Sequence, residues 1–232
     1  MKPDKIIIWL GREQFPDEKL PAIFDRLRAC GVEVKFCEDI KAHKKYFYSL
    51  KEYPEDIIIT FDDDIIYDNF IIEALYKSYL EHPECVCAMR VHKITFTPEG
   101  DIIPYSDWET DYRSSEGQAS FNLFATGVGG VLYPPHCLKN EVFNLEALKK
   151  LSFMNDDVWL KFMEIMNRTR VVRASAARSI NGYEVPDSQE LALWKSNVKA
   201  GGNDMQIKAV LEAYASWRDQ EGRTLLEIIR EG

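Results

Sequence analysis

Residues 56–67 read Asp-Ile-Ile-Ile-Thr-Phe-Asp-Asp-Asp-Ile-Ile-Tyr, a β-branched run joined directly to three carboxylates. Pro54 precedes the run and acids end it, which predicts a buried strand, Ile57–Phe61, in the middle of an open α/β sheet. Ligands of such sheets bind beyond the carboxyl ends of the strands, so the three acids are expected at the mouth of a cleft. In extended chain, alternate side chains share a direction, which would aim Asp62 and Asp64 together and Asp63 away. Two converging carboxylates repel each other. A hard divalent cation, shared with substrate phosphate oxygens, is the usual remedy. Acids after a strand also serve helix caps and solvated loops, and Asp68 is expected to cap the next helix. Taken alone, Asp-x-Asp is short enough to arise by chance.

Similar runs recur on both sides. Lys5–Leu10 predicts a strand, and Leu20, Ile23, Phe24 and Leu27 put an apolar face on a helix over Leu20–Cys30, stopped by Gly31. Val32–Phe36 is a second strand and Lys44–Leu50 a short helix leading to Ile57–Phe61. This βαβαβ order implies a parallel sheet with helices on its faces. A helix over Asp68–Leu80 and a strand over Cys85–Val91 come next, then a hairpin of Ile94–Thr97 and Asp101–Ile103 across Pro98-Glu99-Gly100.

The polar stretch Ser106–Ser120 is expected to be a mobile loop. Phe121–Tyr133 is apolar around Thr126-Gly-Val-Gly-Gly130, where glycines mark either close approach of a ligand or a bulge and tight packing. Asn155 is expected to cap a helix to about Asn167, with Asp156 and Asp157 in a first turn whose dipole favours carboxylates by itself. A strand at Val171–Ala174, a helix at Leu191–Val198, a helix capped by Gly201–Asp204 and running to about Trp217, and an amphipathic segment at Thr224–Ile229 complete the chain.

At 232 residues, with 46% hydrophobic and 29% charged side chains, the chain is expected to form one domain spanning 1–232. No segment approaches the roughly 20 apolar residues of a membrane span. The first apolar run is too short for a signal peptide and lacks a cleavage site, so a cytoplasmic location is expected. The five cysteines, Cys30, Cys37, Cys85, Cys87 and Cys137, form no CxxC pair, which points to reduced thiols rather than disulfides or zinc. A net charge of -9 argues against a nucleic-acid partner; an anionic ligand would need a local positive pocket or a metal.

In this order, Thr60-Phe-Asp-Asp-Asp-Ile-Ile-Tyr67, Phe124-Ala-Thr-Gly-Val-Gly-Gly-Val-Leu-Tyr-Pro-Pro135 and Asn155-Asp-Asp-Val-Trp-Leu160 resemble the GT-A fold glycosyltransferases. The chain looks most similar to the bacterial family 2-like enzymes of surface-polysaccharide synthesis, over roughly residues 4–215. The resemblance implies a mostly parallel open sheet flanked by helices, with a small antiparallel hairpin. It implies a metal-dependent enzyme that moves a sugar, with inversion, from a nucleotide-sugar donor to a hydroxyl of a glycan or lipid-linked acceptor, with peripheral membrane association compatible with the latter.

By that resemblance Asp62 and Asp64 would hold Mn2+ or Mg2+ and, through it, the donor diphosphate, with Asp64 the direct ligand, Asp62 nearer the ribose and Asp63 beside them. Asp157, with Asp156 next to it, would deprotonate the acceptor hydroxyl. Gly127, Gly129 and Gly130 would let the sugar lie against the backbone, and the 106–120 loop would close over it. Lys44 and Lys45 match a helix that faces the nucleotide. Asn203 and Asp204 are candidates for ligand contact or for capping.

The chain departs from the family in two places. Family members carry another strand and helix ahead of the segment at Lys5, where here four residues precede it. The first βα unit is thus expected to be missing, leaving a central slot in the sheet and a strand edge open to oligomer formation. Many members also supply a late histidine to the metal; of His43, His82, His92 and His136, only His136 falls downstream.

A truncated, non-catalytic GT-A-like binding domain is therefore an alternative. A haloacid-dehalogenase-like phosphatase is another, with Asp62 and Asp64 as its first motif, although Ile65-Ile66-Tyr67 stands where that family places a small hydroxyl residue or Val. An EF-hand is excluded, because Tyr67 and Ile66 stand where its loop needs a glycine and an oxygen ligand.

Overall fold

The computed structural model describes residues 1–175, 183–184 and 201–232. β1 (Ile6–Gly11) and β2 (Val32–Cys37) pair in parallel, with Ile6 opposite Val32 and Gly11 opposite Cys37. Between them runs α1 (Ile23–Ala29), shorter than its apolar pattern predicts, with no buried residue. Gly31, at φ +88°, turns the chain back where a side chain would be strained. α2 (Lys44–Glu52) then leads to β3 (Ile58–Thr60), and the short β4 (Ile65–Ile66) pairs with β10 (Tyr183–Glu184).

α3 (Ile71–Glu81) starts later than expected. Asp68 does not cap it with its side chain; only its carbonyl accepts from the Ile71 amide. The expected strand 85–91 splits into β5 (Val86–Ala88) and β6 (Val91–Lys93), and β6 pairs with β7 (Leu123–Ala125). The hairpin exists in reduced form, as a Phe96 to Ile102 bridge closed by Gly100 at φ +95°.

β8 (Val131–Tyr133) and β9 (Val171–Arg173) complete a four-stranded sheet in the order β3-β8-β5-β9. β8 runs against both β3 and β5, and β5 is parallel to β9, so three strands share one direction. Every residue of β5, β8 and β9 is buried, as expected of near-continuous apolar runs covered on both faces.

β1 and β2 do not join that sheet. Among the described residues β1 pairs only with β2, and β3 only with β8. A cleft runs between them, lined on one side by Ile6–Trp9 and on the other by Ile57–Thr60. α2 packs against both β1 and β3, with Trp9 Nε1 donating to Ser49 Oγ at 2.8 Å.

Behind the sheet lie α4 (Leu145–Leu151), α5 (Asp156–Met166), α6 (Gly202–Ala213) and α7 (Leu225–Arg230). All residues of α5 but Asp157 are buried, which marks it as the central helix. α6 and α7 pack on it, and Trp159, one turn into it, is 0% exposed with Nε1 donating to the Val142 carbonyl. A capping box of Thr224 and Glu227 starts α7.

The segment 106–120 is stitched down rather than loose. Trp108 is buried and its Nε1 donates to the Ile103 carbonyl, the Tyr112 amide donates to the Val91 carbonyl, and Ser120 bridges Val171. Arg173 pairs with Asp111 at 2.8 Å. All five cysteines are free thiols. The expected helix at Leu191–Val198 lies outside the described residues. Among those described, no helix is long and apolar enough to cross a membrane.

Candidate functional site

A cleft of about 1870 Å³ opens where the end of β3, the first turn of α2 and the head of α5 meet. Its wall carries Asp62, Asp63 and Asp64, Lys44 and Lys45, Asn155, Asp156 and Asp157, with Arg90, Tyr105, Thr126 and Val128.

The head of α5 is built by Asn155. Its backbone is extended at φ -142°, and its side-chain oxygen accepts from the Val158 amide at 3.1 Å. Its side-chain nitrogen donates to Asn203 Oδ1, and its carbonyl accepts from Ser152 Oγ. Capping is thus done by Asn155, and the two acids behind it bond elsewhere. Asp157 Oδ1 accepts from the Gly127 amide at 3.1 Å. Asp156 Oδ2 lies 2.7 Å from Lys45 Nζ, and the same ammonium donates to Asp62 Oδ1 at 2.8 Å.

α2 is fixed beneath this cluster by His43. One ring nitrogen lies 2.9 Å from the Ser152 carbonyl and the other 2.8 Å from the Tyr46 hydroxyl. A carbonyl only accepts, so Nε2 carries the proton and Nδ1 accepts from Tyr46. Burial pulls the His43 pKa down, which keeps the ring neutral.

The two acids of α5 titrate apart. Burial, then the neighbouring charge of Asp156, pushes Asp157 up to about 8. Burial works against charge on Asp156 as well, but the Lys45 ammonium outweighs it and holds Asp156 below the ordinary carboxylate range. Near neutral pH the cluster therefore contains ionised Asp156 and protonated Asp157. Such splitting of paired carboxyls is the pattern of an acid/base site.

Several expected contacts differ. The strand stops at Thr60 and Asp63-Asp64 form a turn, so alternation along an extended chain does not aim Asp62 and Asp64 together. Asp62 is held instead by Lys45 and by its own amide donating to the Tyr67 hydroxyl at 3.0 Å, while Asp63 is exposed. Lys44 turns away from the acids of the cluster and pairs with Asp39 at 2.6 Å.

Gly127, Gly129 and Gly130 form a tight turn and do not line the cleft. A methyl group would come within 2.8 Å of Arg90 Cβ at position 129 and of Phe61 Cε1 at position 130, so these two glycines serve packing. Neither Asn203 nor Asp204 caps α6; Asn203 holds Asn155, and Asp204 accepts from the Tyr105 amide. His136 is exposed and bonded to Glu55. No residue of 106–120 lines the cleft, so that segment is not a lid in this structure.

Arg90 is the cleft residue that sequence reasoning misses. It sits between β5 and β6 on the cleft wall. The signal is present in the sequence, as one arginine inside the apolar run Val86–Val91.

Among the described residues, no three His, Cys, Asp or Glu side chains come together so as to hold a metal ion unaided. A cation that brings phosphate oxygens needs only one or two protein carboxylates. Asp62 and Asp64 both line the cleft, and Asp62 is already paired with Lys45. The chain matches no family model and no curated protein.

Proposed function

We propose that the chain is a GT-A type glycosyltransferase that moves a sugar from a nucleotide-sugar donor to a hydroxyl of a glycan or lipid-linked acceptor, with inversion. The observation that carries this reading is the meeting, in one cleft, of three segments far apart in sequence. Asp62 and Asp156 share the Lys45 ammonium, and Asp157 rests on the Gly127 amide.

The donor diphosphate lies against the β3 end of the cleft, where Arg90, just beyond β5 in the same sheet, supplies positive charge. A divalent ion, Mn2+ or Mg2+, would be held by Asp64 together with the diphosphate, with Asp62 beside it still paired to Lys45, and would neutralise the leaving group. The acceptor hydroxyl approaches Asp157. Its oxygen forms the new bond to the anomeric carbon, the bond from that carbon to the phosphate oxygen breaks, the hydroxyl proton passes to Asp157, and the nucleoside diphosphate departs. Asp156 stays ionised and paired, which keeps its neighbour basic enough to accept that proton.

A base whose pKa lies near the working pH combines basicity with a useful population of its deprotonated form. With Asp157 at about 8, transfer should rise about tenfold per pH unit below that value and level off above it.

Calorimetric titration with UDP, GDP and their sugar conjugates, with and without Mn2+, tests the donor site. Asp64→Asn should lose metal-dependent nucleotide binding; unchanged binding would remove the metal assignment. Asp157→Asn should retain donor binding while transfer falls about 10²-fold or more. Retained transfer would remove Asp157 as the base.

A further inference from the structure

Lys45 ties together carboxylates from two distant parts of the chain. Its Nζ lies 2.8 Å from Asp62 Oδ1, just beyond β3, and 2.7 Å from Asp156 Oδ2 at the head of α5. A methyl group at position 127 would come within 2.4 Å of the same Nζ and 3.2 Å of Asp157 Oδ1. The ammonium and the second acid of α5 thus converge on the backbone of Gly127. The lysine starts from a rigid base, because Tyr46 and Phe47 beside it are buried. His43 joins this turn to the Ser152 carbonyl on the approach to α5.

We propose that Lys45 is the resident cation of this cluster, a positioning residue that neutralises Asp62 and Asp156 and bars a divalent ion from the acids of α5. A metal ion among Asp62, Asp156 and Asp157 would meet a fixed positive charge at contact distance and would have to expel it. The link to sugar transfer rests on the glycosyltransferase reading; the arrangement of charges does not.

Removal of the ammonium leaves carboxylates held near one another by contacts that do not involve Lys45: the His43 bond, the Asn155 cap and the Gly127 amide. Unneutralised carboxylates in that position recruit a hard cation. Lys45→Met is therefore expected to gain a metal site rather than only lose a contact.

The experiment is titration of the full chain with Mn2+ alone, without nucleotide, followed by the electron-spin-resonance signal of free Mn2+ and by thermal melting. Lys45→Met should bind Mn2+ at least tenfold more tightly than the wild-type chain, and Mn2+ should raise its Tm. Lys45→Arg, which keeps the charge, should resemble the wild type. Lys45→Met/Asp156→Asn should fold and lose the gained affinity.

Equal Mn2+ affinity of wild type and Lys45→Met would overturn the proposal. So would tight binding by Lys45→Arg or by the double variant, or a Lys45→Met chain that stays unfolded even in Mn2+. A Lys45→Met chain that folds only with Mn2+ would support it. No nucleotide enters this test, so failure of the wild type to bind any nucleotide sugar would sink the proposed function while leaving this result to stand by itself.

Discussion

The β1-α1-β2 unit and the layer formed by β5, β8, β9 and α5 use similarly apolar sequences to different effect. In the first unit only Gly11 and Cys37 of the two strands are buried, and α1 buries nothing. In the second, the three strands are buried throughout, as is α5 apart from Asp157. A strand becomes core when both of its edges and both of its faces are covered, whatever its hydrophobicity. The site lies on the boundary, with Asp156 and Asp157 on the rigid side and the cleft opening toward the less buried unit.

Substitutions in the two regions should separate widely. Trp159→Ala, in the fully buried face of α5, should cost about 3–5 kcal/mol in urea unfolding, because it leaves a large cavity and strands the Val142 carbonyl. A loss under about 1 kcal/mol would mean that α5 is not the core. Asn155→Ala should cost about 0.5–2 kcal/mol through the lost cap. It should also lower the affinity for acceptor more than that for donor, since the acids of α5 would lose their alignment. Ile23→Ala, in α1 and 50% exposed, should change stability by no more than about 0.5 kcal/mol. A loss comparable to that of Trp159→Ala would erase the contrast.

Titration offers a finer probe. The folded-state pKa of Asp157, about 8, exceeds the unfolded value of roughly 4, so the folded chain binds the extra proton. Its contribution to stability is full below the unfolded value and is lost as pH rises through about 8. Asp157→Asn should remove that slope, giving a Tm that varies less between about pH 5 and 8 than the wild type's. An identical slope in both chains would show that Asp157 titrates normally.

Much of the chain is legible because local signals agree with one another. Gly31, Asn155 and the apolar run 32–36 appear as turn, cap and strand, whereas the run 121–133 is split into β7 and β8 by the turn at Gly127–Gly129. Which way two adjacent lysines point is beyond such signals. Successive residues of a helix differ by about 100°, so Lys44 meets Asp39 while Lys45 meets Asp62 and Asp156, and composition does not distinguish them. Alternation fails for Asp62 and Asp64 for a local reason, because the chain turns at Asp63-Asp64 before β4. Tertiary pairing also splits the run 85–91 at Met89-Arg90, which is what brings Arg90 to the cleft.

The open side of β3 gives this protein an internal clock. Amides in a strand point alternately to its two edges, and β3 has a partner on one edge, β8, while its other side faces the cleft. In deuterated water, slow and fast protons should therefore alternate over Ile58, Ile59 and Thr60. Protons bonded to β8 wait for a large opening of the sheet, and those facing the cleft wait only for solvent. Three consecutive residues would thus record the boundary between the two regions, readable one amide at a time.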